Sequence, residues 1–246
     1  MTTVVSVLTT KDGQGSTSLA LALAWAAADR AHVLAIDADM SGTGNLADMI
    51  ALDFGGCGIG NLFGTQAITT AMLEQQAVRV PARPRLRVIP GLHGFCGPGV
   101  ADLLSRLASA LRSLPDELVV LDLGAALAHP GLESPRRTGE VICATSQRVL
   151  VVIQDSPVRL AQSIQVLKAA QLPQIEIVVY ETRRGALRDQ VRQVFAEHLP
   201  GARLSAFLSW DERRAARAED DAIPVAPTDL LRVLRIPATG RPGRVR

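Results

Sequence analysis

Short apolar runs, several of them β-branched, recur along the chain at Val4–Leu8, Val33–Ile36, Leu86–Ile89, Leu118–Leu121, Val149–Ile153, Ile175–Tyr180 and Arg203–Leu208. Most are continuously apolar rather than alternating, the pattern of strands covered on both faces. Between them, Ser18–Arg30, Val100–Ser113, Val158–Gln171 and Ala186–His198 carry helix-like stretches. This alternation predicts an α/β fold: a doubly wound, mostly parallel sheet flanked by helices, with right-handed crossovers. One domain over residues 1–236 and a frayed tail over 237–246 are expected. Asp53–Pro84 is less regular, with a Gly-rich run at Gly55–Gly60, a helix-like Thr69–Gln76 and a Pro/Arg stretch. It reads as an excursion on the sheet rather than a second domain.

Composition narrows the class. At 246 residues, 48% apolar and 20% charged, the chain has enough apolar material for one large core and is unlike a disordered protein. Cys57, Cys96 and Cys143 form no C-x-x-C pair, which argues against a disulfide framework or a zinc site and for a reducing, cytoplasmic setting. His32, His93, His129 and His198 lack ligand spacing, and Met40, Met49 and Met72 read as core. No charged segment precedes an apolar stretch at the N-terminus, so no signal peptide is expected. The most apolar run, Leu19–Ala28, is about half the length that spans a bilayer. A net charge of +2 does not demand a polyanionic partner. The 26 basic residues include only two lysines, Lys11 and Lys168.

One of those lysines lies in the segment that carries the chemistry. The first apolar run leads into Thr10-Lys11-Asp12-Gly13-Gln14-Gly15-Ser16-Thr17-Ser18, after which a helix begins. A glycine turn between a strand and a helix N-terminus aims backbone N–H groups at an anion. The phosphate-loop pattern G-x-x-x-x-G-K-[ST] is not met, because Thr10 stands at its first glycine and Ser16 at its lysine. A plain strand-to-helix turn, capped by Ser16 or Thr17, is the competing reading. Two later runs end in aspartates, Asp37 and Asp39 in one and Asp122 in the other. Carboxylates at strand ends lie in the crevice where α/β sheets bind ligands, and can hold Mg²⁺ or orient a water.

At these residues the chain resembles the ParA/MinD family of deviant-Walker P-loop ATPases, whose loop reads K-G-G-V-G-K-[TS]-[TS]. The resemblance puts Lys11 on the family's signature lysine, Gly13 and Gly15 on two glycines, and Thr17 on the Mg²⁺-binding hydroxyl. Asp39 falls on the second Asp of the D-x-D motif, implied to position the hydrolytic water, and Asp122 on the Walker B aspartate. It therefore implies an ATP site made by Lys11, Asp12, Gly13, Gln14, Gly15, Ser16, Thr17 and Ser18, catalytic roles for Lys11 and Asp39, and Mg²⁺ on Thr17 and Asp122. Ala144–Val152 and the turn Ser209-Trp210-Asp211-Glu212-Arg213 resemble later family segments. The family uses the signature lysine across a nucleotide-dependent homodimer.

The departures point to a particular branch. Ser16 replaces the Walker lysine, Asp12 replaces a glycine, and Tyr180 stands where the family often has an adenine-contacting asparagine. A lost lysine–phosphate bond is worth roughly 1.5–3 kcal/mol, or about one to two orders of magnitude in affinity. The chain thus resembles the atypical TadZ/CpaE-like pilus-positioning or septum-site proteins, though the N-terminal receiver-like domain many of them carry is not expected here. This implies weak ATP binding and regulation of a pilus, secretion or septum machine through protein partners. A slow ATPase for DNA or plasmid partition, and a nucleotide-free pseudo-ATPase scaffold, are the alternatives.

Two surface features admit functional readings. Arg183, Arg184, Arg188 and Arg192, with Arg213, Arg214 and Arg217, could form a non-specific DNA-binding face. A solvated face balanced by Glu212, Glu219, Asp220 and Asp221 is favoured instead. Asp229–Ile236 could make weak peripheral contact with the inner face of the membrane, but a closing helix packed on the sheet is favoured.

Overall fold

The structure is a computed structural model that describes residues 2–41, 46–92, 100–128, 134–172, 174–181 and 187–209. Within these residues the chain runs β1 (Thr3–Thr9), α1 (Ser16–Ala27), β2 (Val33–Asp37), α2 (Thr70–Gln76), β3 (Val78–Val80), β4 (Arg83–Ile89), α3 (Val100–Arg112) and β5 (Leu118–Asp122). It continues through α4 (Pro135–Thr145), β6 (Arg148–Gln154), α5 (Pro157–Ala170), β7 (Ile175–Glu181), α6 (Arg188–His198) and β8 (Ala202–Ser209). The strands form one sheet in the order β3-β4-β2-β5-β1-β6-β7-β8, parallel except for β3 against β4. The doubly wound, mostly parallel sheet is thus the architecture found.

The continuous apolar runs supply two cores because successive side chains in a strand point to opposite faces. Val4, Leu34, Ile36, Val119, Leu121 and Val151 face one core, which is completed by Leu103 and Leu107 of α3, Ile142 of α4, Ile164 of α5 and Phe195 of α6. Val5, Val7, Val33, Ala35, Val120 and Val152 face the other, which receives α1. A helix buried nearly all round needs no polar stripe, and α1 has none between Leu19 and Ala27.

Helix starts follow local chemistry. Ser134 and Ser156 each precede a proline and accept the N–H of Arg137 and Arg159, both at 3.3 Å, to begin α4 and α5. Thr69 caps α2 in the same way. Helix α4 lies outside the helical stretches named from the sequence; it contains Gly139, and a Cβ there would meet the Ala170 carbonyl oxygen at 2.7 Å. Close packing of α4 on α5 thus favours a poor helix former, which masks the helical signal. The Asp53–Pro84 excursion contains a one-turn 3₁₀ segment at Ile59–Leu62, α2, and the edge strand β3. Residues 210–246, with Trp210, the Arg213–Arg217 cluster, Asp229–Ile236 and the tail, lie outside the described residues, as do Arg183, Arg184, His93, His129 and Cys96. Among the described residues no helix is long and apolar enough to cross a membrane.

Candidate functional site

The carboxyl ends of β1, β2, β5, β6 and β7 share one edge of the sheet, and the glycine loop rises from the central one. Gly13 and Gly15 hold φ of +73° and +89°, conformations that glycine adopts at little cost. Helix α1 starts at Ser16 and is capped by Gly15, so neither Ser16 nor Thr17 is the capping residue. Both already lie within the first helical turn. Gly15 has no side chain to spend on the first-turn N–H groups, which suits a loop that must receive an anion.

Side chains brace this loop from beneath. Thr10 Oγ1 lies 2.5 Å from Ser163 Oγ of α5, and the Thr9 hydroxyl donates to the Val152 carbonyl at 3.1 Å and meets the side chain of Gln14. Gln154, at the end of β6, donates Nε2 to the Gly13 carbonyl at 3.4 Å. Gln14 is buried, whereas Lys11, Asp12 and Gly13 are exposed at the tip and Ser16 is buried at the base. Asp12 therefore places its charge at the mouth, where solvent screens it, rather than inside the turn.

The carboxylates converge beside the loop. Asp37 and Asp122 are register partners on β2 and β5, both fully buried, and Asp39 is 9% exposed. Asp37 accepts the N–H of Asp39 at 3.3 Å and of Leu46 at 3.1 Å; Asp39 accepts that of Ser41 at 3.0 Å. Two glycines make room: a Cβ on Gly91 would meet Asp37 Cγ at 2.5 Å, and one on Gly124 would meet Asp39 Cγ at 2.4 Å. Asp122 accepts the Gly124 N–H at 3.2 Å through Oδ1, while its buried Oδ2 has no hydrogen-bond partner among the described residues. Its carboxyl is pushed up to about 7 by burial, then by the charge of Asp37; the Thr17 hydroxyl and the Gly124 N–H hold the rise back.

Thr17 and Asp122, far apart in sequence, thus meet at the base of the loop. A hydroxyl beside a buried carboxylate with one unpartnered oxygen is an oxygen donor pair suited to Mg²⁺, which binds few protein ligands and keeps water and phosphate as the rest. Among the described residues no three His, Cys, Asp or Glu side chains form a larger metal cluster. The residues present fit the Mg²⁺ of a nucleotide complex.

Elsewhere the structure sorts the remaining candidates. Tyr180 packs its ring on Gly15, where a Cβ would approach Cε2 to 3.0 Å, and burial pushes its phenol up to about 12. Arg188 is bidentate to buried Glu181 at 2.6 and 2.7 Å, and Arg192 pairs with Asp189 at 2.8 Å; both lie over the Phe207 ring. These two arginines are committed to contacts within the chain. Asp37 was legible only as one of the strand-end carboxylates, and Gly91, Gly124 and Gln154 carry no sequence signal of a role. The D-x-D spacing was the available signal for Asp37, but the other three depend on which strands are neighbours.

No family model and no curated protein matches the sequence. The fold, in contrast, matches solved structures over nearly its whole length. A ParA family ATPase from Chlorobium tepidum TLS aligns at TM-score 0.73 and 18% identity, covering 96% of this chain and 100% of that one. The septum site-determining protein MinD from Pyrococcus horikoshii OT3, complexed with Mg-ADP, aligns at 0.67 and 16%, covering 96% and 94%. A chain of the MinC:MinD cell division protein complex of Aquifex aeolicus aligns at 0.69 and 15%, covering 98% of each chain. The fold is that of the ParA/MinD-type P-loop ATPases.

Proposed function

We propose that the chain is a ParA/MinD-type protein with a degenerate phosphate loop, which binds Mg-ATP weakly and uses its nucleotide state to position or regulate a larger machine of the pilus, secretion or septum kind. The observation that carries this reading is the meeting of Thr17 and Asp122 at the base of a glycine-capped helix. That pair supports a divalent cation where the loop supports phosphates. Bound Mg²⁺ would neutralise phosphate charge there.

The roles follow from placement. Gly13 to Ser18 present the loop and first-turn backbone to the anion. Asp39, packed against Gly124 two residues beyond Asp122, is the carboxylate available to orient a water. Lys11 is exposed at the tip, where it could reach a second copy of the chain, as the homodimer reading requires. Ser16 offers a hydroxyl where a lysine charge would stabilise the phosphates, so hydrolysis is weak or absent. Protein partners, rather than DNA, are favoured by the intramolecular commitment of Arg188 and Arg192.

Calorimetric titration with Mg-ATP tests the reading, with turnover measured alongside. Weak binding with little turnover is expected, and Lys11→Ala should lower any ATP-dependent dimerisation seen in sedimentation. Absence of binding at millimolar Mg-ATP would leave the pseudo-ATPase scaffold. Turnover comparable to intact phosphate-loop ATPases would favour the partition enzyme. Restoration of turnover by Ser16→Lys, abolished again by Asp39→Ala, would support the assigned roles.

A further inference from the structure

The loop lacks a lysine at Ser16, yet an arginine outside the loop has a buried donor with no acceptor. Arg159 stands on the first turn of α5, and its buried Nη1 has no hydrogen-bond partner among the described residues. By contrast, Arg148, Arg188 and Arg192 each pair with a carboxylate. A guanidinium carries five donors in a fixed fork that matches phosphate oxygens, and it stays charged when half-buried.

The helix geometry turns Arg159 toward the loop. Leu160, Ile164 and Lys168 line a groove of about 410 Å³ shared with Leu187 and Val194, so that flank of α5 faces α6. Ser163 lies on the other flank and touches Thr10 at the start of the loop. Arg159 is one turn before Ser163 on the same stripe, nearer the sheet edge at which β6 ends and Gln154 reaches Gly13.

We propose that Arg159 is the cation serving the phosphate loop in place of the lysine absent at Ser16, donating in cis to the phosphates of a bound nucleotide. This rests on the reading of the loop as a nucleotide site. It accounts at once for a buried donor without an acceptor and for a phosphate loop with no lysine at position 16, whose own cation, Lys11, stands exposed at the tip.

Mg-ATP titration of Arg159→Gln, Arg159→Lys, Ser16→Lys and the Ser16→Lys/Arg159→Gln pair tests it. Arg159→Gln should weaken Mg-ATP by roughly tenfold to a hundredfold, the worth of one charge-assisted bond, and Arg159→Lys by much less. Ser16→Lys should recover the loss in the Arg159→Gln background while adding less than about tenfold to the otherwise unaltered chain, a non-additivity that a purely structural role would not produce. A folded Arg159→Gln protein with unchanged affinity, or a Ser16→Lys gain equal in both backgrounds, overturns the proposal and leaves the nucleotide site standing. No binding by the unaltered protein overturns the site itself and this inference with it. Should Arg159→Gln fail to fold, Ser16→Lys alone decides: a gain of two orders in the native background would show that no other cation serves the loop.

Discussion

Asp37 and Asp122 sit side by side across β2 and β5, both fully buried, with the unpartnered Oδ2 belonging to Asp122. Two carboxylates so placed make the base of the loop a position that favours either a proton or a cation. Burial and mutual repulsion raise the cost of ionising both, and a divalent ion removes that cost.

The first prediction concerns pH. Asp122 titrates at about 7 in the folded protein and near 3.8 when unperturbed, so the native state holds a proton that the unfolded chain releases. Its contribution to stability is present below about pH 4, falls as pH rises toward 7 and is lost above that. Asp122→Asn is neutral throughout. Its stability relative to the native protein should therefore rise between pH 5 and pH 8 by on the order of 2–3 kcal/mol. Urea unfolding at the two pH values measures the change, and a pH-independent difference would contradict it.

Gly124 should not tolerate a side chain. Its φ is +51°, and a Cβ would overlap the Asp39 carboxylate. Gly124→Ala is expected to destabilise the fold by about 1–3 kcal/mol through strain, plus a steric part that Asp39→Ala relieves. A double-mutant cycle in thermal or urea unfolding separates the two, and strict additivity would show that Asp39 does not meet Gly124.

Gly15 and Tyr180 offer a parallel case with a ligand readout. Gly15→Ala should weaken Mg-ATP binding even when Tyr180→Ala removes the ring it would strike, because the φ of +89° remains strained for alanine. Full recovery in the double variant would assign the defect to packing alone.

Arg188 and Glu181 form a fork-on-fork pair in which the carboxylate is the buried member. Arg188→Met should lower the melting temperature by several degrees, because it strips buried Glu181 of its bidentate partner, and Arg188→Met/Glu181→Met should recover most of the loss. If Arg188 instead served a DNA face, the single variant would keep its melting temperature and lose salt-sensitive DNA retention.

Much of the fold was legible in the sequence. Val33–Ile36, Leu118–Leu121 and Val149–Ile153 are continuous apolar runs, Val4–Leu8 is broken only by Ser6, and each lies within a central strand. The edge strand β3 spans only three residues, and α4 carries Gly139 against the α5 backbone; neither leaves a periodic pattern long enough to read. The glycine loop was visible as a loop, and the competing reading of a turn capped by Ser16 or Thr17 rests on two good capping residues, but the observed start of the helix shows that Gly15 occupies that position.

By itself, the sequence determined a doubly wound sheet with a glycine turn at a helix start and aspartates at strand ends, since these depend on local periodicity and backbone freedom. Tertiary structure alone decided that Asp37 pairs with Asp122, that Thr17 meets Asp122, that Gly124 admits Asp39, and that Arg159 shares a helix flank with Ser163. Those relationships depend on strand order and helix rotation. They are settled by packing between distant segments, which no run of neighbouring residues records.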